Sequence, residues 1–176
     1  MKQTLLLLAG VTLLIVLLGV LHKYPQEASN ALQNPGLYLS KTAQTTIGNK
    51  KTIKVGDKEI LVEVADTDAK RQKGLADRKT LGDSEGIFFI FTRKDFQPAF
   101  WMKGMLMPID IIWINDSKIA QIDANIQPPT EGTPDKDLPL IIPKNPIDYV
   151  LEVNTGFSER NKLEVGTPID LTNIEK

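Results

Sequence analysis

Apolar and polar positions divide the chain into three stretches. Thr4 to Leu21 runs for eighteen residues without a charge. As a helix it would be about 27 Å long, close to a hydrocarbon core of roughly 30 Å. It would also satisfy its own backbone hydrogen bonds, as lipid requires. Met1 and Lys2 supply a short positive start, which a secretory signal peptide shares, but the apolar run is longer than a signal core of about 7–15 residues. The residues that follow, Leu21-His22-Lys23-Tyr24-Pro25, contain no small-x-small cleavage site, and Ser29-Asn30-Ala31 lies well downstream. Residues 1–23 therefore read as an N-terminal transmembrane anchor in preference to a cleaved signal segment. The following domain is expected on the extracytoplasmic side of the cytoplasmic membrane, or secreted if cleavage occurs. Residues 24–51 mix Pro25, Pro35, Gly36 and Gly48 with many polar residues and no sustained apolar period, the pattern of a flexible tether.

From residue 52 to 173 the pattern becomes that of a β-rich domain. Thr52 to Val55 and Lys58 to Ala65 flank Gly56-Asp57, and Ile60, Val62 and Val64 share one face of the second strand. Asp66 to Leu75 switches to helical logic, with Asp66 or Thr67 as the cap and Gly74 as the stop. Gly86 to Phe91 is apolar throughout, as in a strand covered on both faces. Pro98 to Lys103 is a further strand candidate. Ile109 to Ile114 and Lys118 to Ile126 bracket Asn115-Asp116-Ser117, a hairpin turn. Gln127 to Pro146 is a proline-rich loop, functional or a flexible insertion. Tyr149, Leu151 and Val153 alternate on one face, Thr155 to Leu163 fits a second short helix capped by Asn154 or Thr155, and Gly166 to Leu171 closes the domain. About seven strands and two short helices without βα repetition predict a mainly β fold, an antiparallel barrel-like or rolled sheet.

Charge and composition narrow the chemistry. The chain holds 21 Lys and Arg against 22 Asp and Glu, and setting aside Lys2 and Lys23 leaves a surplus of three acids. No basic stripe marks a nucleic-acid partner. Cysteine is absent and the single histidine, His22, adjoins the apolar run. Disulfides, Cys or His metal sites and Ser-His or Cys-His catalysis are thereby excluded from the domain. Neither a cofactor nor a metal is expected.

Several blocks then resemble a known family. Val62-Glu63-Val64-Ala65-Asp66-Thr67, Gln72-Lys73-Gly74-Leu75-Ala76-Asp77-Arg78 and Gly86-Ile87-Phe88-Phe89-Ile90-Phe91 are similar to the opening blocks of the DUF192 (UPF0127) family. Phe100-Trp101-Met102-Lys103-Gly104-Met105-Leu106-Met107-Pro108-Ile109-Asp110 resembles its signature, and Tyr149 to Gly156 its late block. The resemblance covers roughly Ile53 to Leu171. It departs from the family where Gly104 and Met105 replace Asn-Thr, where Gly166-Thr167 replaces Gly-Asp, and in lacking a cysteine pair that some relatives carry in the proline loop. It implies a small barrel-like domain, often exported or anchored, with no established activity.

The signature supplies the candidate site. On a strand, Trp101 and Lys103 point one way while Phe100 and Met102 point the other. Asp110 lies between apolar neighbours on both faces and must be paired or hydrogen-bonded if buried. Lys103 and Arg78 are the natural partners, in a structural ion pair. A pocket is the second reading: Trp101 as wall, Lys103 or Arg78 as anion contact, Asp110 as orienter. Catalysis is the third, through Asp110 with Glu63 or Glu85, or Ser84 with Lys103. No spacing singles out a catalytic residue. Met102, Met105 and Met107 read as core packing rather than a soft-metal site. The sequence thus predicts a membrane-tethered binding or accessory module for a small-molecule or protein ligand. The alternative is a carboxylate-dependent hydrolase of cell-envelope material.

Overall fold

The computed structural model describes residues 50–174, and the segments read above as anchor and tether lie outside them, except for Lys50 and Lys51. Among the described residues no helix is long and apolar enough to cross a membrane. The elements run β1 (Lys50–Val55), β2 (Lys58–Ala65), α1 (Asp68–Lys73), β3 (Glu85–Ile90), β4 (Ile109–Asn115), β5 (Lys118–Ile126), a 3-10 turn (Asp135–Asp137), β6 (Tyr149–Asn154), α2 (Phe157–Arg160) and β7 (Ile169–Asp170). The strands form one curled sheet in the order β5-β4-β6-β3-β2-β1-β7.

The sheet is mixed rather than antiparallel as the sequence predicted, because β2 and β3 run parallel. Residues 66–84 between them, α1 included, are long enough for the crossover that parallel neighbours need. The remaining pairings are antiparallel. Curling brings the start of β5 to the segment leading into β7. The Ile119 N–H donates to Thr167 O at 3.0 Å, and the Ile169 N–H to Ser117 O at 2.8 Å. These bonds join the two sheet edges at one end and make a half-barrel.

Both faces of the sheet are covered. Inside the curl, Ile60, Val62, Val64, Phe88, Ile112 and Leu151 form one core with Phe157 of α2. Outside it, Ile87, Phe89, Ile109, Ile111, Trp113 and Val150 form a second, with Leu75 and Met102, Met105 and Met107. Each large apolar side chain removed from water in this way contributes about 1.5–3 kcal/mol.

The strand expected over Pro98 to Lys103 does not form. Phe100 alone is bridged, to Ile141, with reciprocal bonds of 2.9 and 2.8 Å. Pro98 has no N–H to donate, and Gly104 at φ +69° turns the chain away. This single bridge, with another between Phe96 and Ile147, ties the proline-rich loop across the outer core. The β4–β5 hairpin turns at Asp116 (φ +48°) and Ser117 (φ +54°), two left-handed residues that match strand twist.

Candidate functional site

A cleft of about 240 Å³ opens on the outer face, beside α1. Thr67 caps α1 by accepting the Lys70 N–H at 3.3 Å. Gly74 ends the helix at φ +47°, ψ −133°, a conformation that glycine adopts without steric cost, and its N–H donates to Lys70 O. A Cβ at Gly74 would stand 3.5 Å from Phe89 Cζ and 3.6 Å from Glu152 Oε2. The missing side chain therefore leaves the space above those two groups open.

Glu152 makes the floor. It sits on β6 between Ile87 of β3 and Ile111 of β4, only 6% exposed. Its Oε2 has no hydrogen-bond partner among the described residues. Burial pushes the carboxyl up to about 8, so it holds its proton at neutral pH. Aromatic rings form the walls: Phe100 meets Phe89 edge-on at 5.0 Å and Phe91 at 6.4 Å, and Trp101 stands at the mouth, 42% exposed.

Three bases line the rim, and each has its own acid. Arg71 donates to Asp68 and to Ile90 O, both at 2.6 Å. Lys73 pairs with Asp77, and Lys103 with Asp135 while lying 5.7 Å from the Trp101 ring centre. Glu152 is the ionisable residue of the cleft without a counter-ion.

The structure brings together only half of the residues predicted from the signature. Trp101 and Lys103 line this cleft. Arg78 instead holds Glu63 through both guanidinium Nη atoms, one bond measuring 2.8 Å, in a neighbouring depression. The pair keeps the Glu63 carboxyl below its usual range, chiefly through the Arg78 hydrogen bonds. Asp110 faces the inner core, fully buried, and the expected ion pair with Lys103 or Arg78 does not exist. Its Oδ1 accepts the N–H groups of Asn125 (3.0 Å) and Gly156 (3.1 Å), and its Oδ2 that of Ser158 (3.0 Å). The first of these serves a bulge in β5 where Asn125 adopts φ +55°, and the other two cap the start of α2. The cap of α2 is thus supplied from β4, not by Asn154 or Thr155.

The proposed carboxylate pairs also separate, since Glu85 is bound to Lys50 at 2.9 Å and Glu63 to Arg78. Sequence reasoning missed Glu152. Its signal was a lone acid in an apolar strand, readable as a solvent-facing position only if the second face were uncovered. Among the described residues no group of three or more His, Cys, Asp or Glu is arranged to hold a metal.

A curled sheet with an aromatic cleft floored by an unpaired carboxyl defines the protein as a small β-rich domain with one face opened beside α1. The chain belongs to the DUF192 family, described as an uncharacterized ACR, COG1430, whose model matches residues 51–171. Among solved structures it is similar to a putative transcription regulator from Sinorhizobium meliloti 1021, with 26% identity and a TM-score of 0.62 over 69% of this chain and 92% of that one. A protein of unknown function from Novosphingobium aromaticivorans DSM 12444 shares 29% identity, with a TM-score of 0.60 over 69% of this chain and 84% of that one. Among curated proteins none matches.

Proposed function

We propose that this DUF192 domain is a binding module that takes a small ligand in the Glu152 cleft, carried on the outer side of the cytoplasmic membrane by residues 4–21. The observation that carries the reading is the Glu152 Oε2, buried without a partner at the floor of an open cleft. A buried polar atom left unsatisfied costs about 1–3 kcal/mol, a cost that a ligand bonding to it would relieve. Aromatic walls with a few polar groups are the usual make-up of small-molecule sites. The uncharged run Thr4 to Leu21 supports the anchor. The near-balance of 21 bases and 22 acids supports a small-molecule ligand over nucleic acid, despite the regulatory name of the Sinorhizobium relative.

A fragment screen against the full chain tests this reading. Bound fragments should raise the unfolding temperature and change the emission of Trp101, and Trp101→Phe should remove the emission response. A screen in which no fragment moves either signal overturns the reading.

The protonated Glu152 favours one second reading, a carboxylate-dependent hydrolase of envelope material with Glu152 as proton donor. Turnover of glycan or peptide panels that disappears in Glu152→Gln would support it over simple binding.

A further inference from the structure

The charge accounting of the cleft identifies the class of ligand. Every base that lines it is already neutralised by a neighbouring acid: Arg71 by Asp68, Lys73 by Asp77, Lys103 by Asp135. Glu152 has no such partner, and its Oε2 is the acceptor left open. Around it stand Phe89, Phe91, Phe100 and Trp101, with Arg71 already 5.9 Å from the Phe91 ring centre and Lys103 5.7 Å from that of Trp101, so the rings serve chiefly as apolar walls. Once ionised, this floor repels an anion, for which the rim offers only bases already paired, whereas a cation is its counter-charge. A neutral apolar ligand would leave Oε2 unsatisfied. An ammonium or guanidinium group supplies both missing elements, a counter-charge and N–H donors, and an attached apolar body fits the aromatic walls.

We propose that the cleft binds an organic cation, an ammonium or guanidinium group on a small apolar or aromatic body, with Glu152 as its counter-ion and the aromatic side chains as walls for that body. The proposal rests on the cleft-binding reading above. Gly74 is part of the device, because its lack of a side chain leaves room for the cationic head between Phe89 and Glu152. At neutral pH Glu152 carries a proton, so a cation that takes its place must drive that proton into solvent. Binding therefore releases one proton per ligand, and cation affinity rises about tenfold per pH unit until it levels off near the carboxyl's own value.

The test titrates the full chain with three matched probes: 2-phenylethylammonium, 2-phenylethanol and 3-phenylpropionate. Trp101 emission reports occupancy, and calorimetry in two buffers of different ionisation enthalpy reports proton release. The expected result is that the ammonium binds at least about tenfold more tightly than the alcohol, with proton release below pH 8 and affinity rising with pH. Glu152→Gln should erase the preference and the pH dependence while keeping the Trp101 response to the alcohol. Equal or tighter binding of the alcohol or the propionate to the wild type overturns the cation assignment and leaves the cleft reading standing. Cation binding without proton release overturns the role given to Glu152. Silence towards all three probes also overturns the assignment, whereas the cleft reading falls only if the wider fragment screen is silent as well.

Discussion

Asp110 on β4 and Ser158 on α2 are joined across 48 positions of sequence by the Ser158 N–H, which donates to Asp110 Oδ2 at 3.0 Å. Together with the bonds from Gly156 and Asn125, this contact fastens a four-residue helix and a strand bulge to the same buried side chain. So short a helix has no stability of its own and depends on such tertiary contacts.

Asp110→Ala should therefore be severe. It strands three backbone N–H groups, and hydrogen bonds of this kind contribute about 1.5–3 kcal/mol each when the acceptor is a charged group. Allowing for relaxation, a loss of about 3–5 kcal/mol is expected in denaturant unfolding. Because Lys103 and Arg78 are engaged elsewhere, Asp110→Ala and Lys103→Ala should be additive within about 0.5 kcal/mol. A loss below about 1 kcal/mol for Asp110→Ala would contradict the capping role.

Glu152 makes stability fall as pH rises. The folded carboxyl sits at about 8 against an ordinary 4.5, so below 4.5 both states hold the proton and its ionisation adds no penalty. Between 4.5 and 8 the unfolded chain releases it while the folded chain does not, and stability declines by about 1.4 kcal/mol per pH unit. The lowered groups Glu63 and Glu85 act in the opposite direction, but at and below their ordinary value of 4.5. Glu152→Gln should flatten the decline over that window and stabilise the protein at pH 8. Urea midpoints measured across the range check this.

Gly74→Ala should separate stability from binding. The new Cβ meets Phe89 and Glu152 at ordinary contact distance, so the cost is backbone strain at φ +47°, about 1–3 kcal/mol. The same methyl occupies the floor of the cleft. Probe affinity should drop, measured well below the unfolding temperature, while Leu75→Ala at the adjacent buried position perturbs stability more than affinity.

The anchor proposed for residues 4–21 predicts fractionation. Full-length protein should sediment with membranes and resist alkaline carbonate extraction. Recovery mainly as a shortened soluble form starting near Leu32 would identify a cleaved signal.

Local periodicity made much of the fold legible. The alternation of Ile60, Val62 and Val64 identifies the inner face of β2, and that of Tyr149, Leu151 and Val153 the inner face of β6. Thr67 and Gly74 bound α1 as their cap chemistry demands. The parallel β2–β3 pairing was hidden, since strand direction depends on where the crossover lands and not on either strand's residues. Trp101 and Lys103, taken from the signature block, do line the cleft. The partners of Asp110 were not legible, since backbone N–H groups carry no sequence signature. Glu152 was concealed by a rule that usually works: the acid in an alternating strand faces water. Here the loop over Phe100 and Ile141 covers that face.

Coverage of both faces has a consequence for how the strands align. Ile109 to Ile114 is buried at every position, so burial alone does not forbid sliding β4 by one residue, which would put Ile112 in the place of Ile111 with little loss of apolar contact. In a one-faced sheet the hydrophobic pattern itself forbids such a slip. Here the prohibition comes from a few polar or small residues acting as alignment marks. Asp110 meets its three N–H donors in a single register, and Trp113 Nε1 reaches Asp123 at 2.7 Å only from the same one. On β3, Gly86 lies where a Cβ would come within 2.7 Å of Glu152 O, so moving Ile87 into that place would drive side chain into backbone. The apolar rungs of this ladder are interchangeable, and the exceptions among them count the steps.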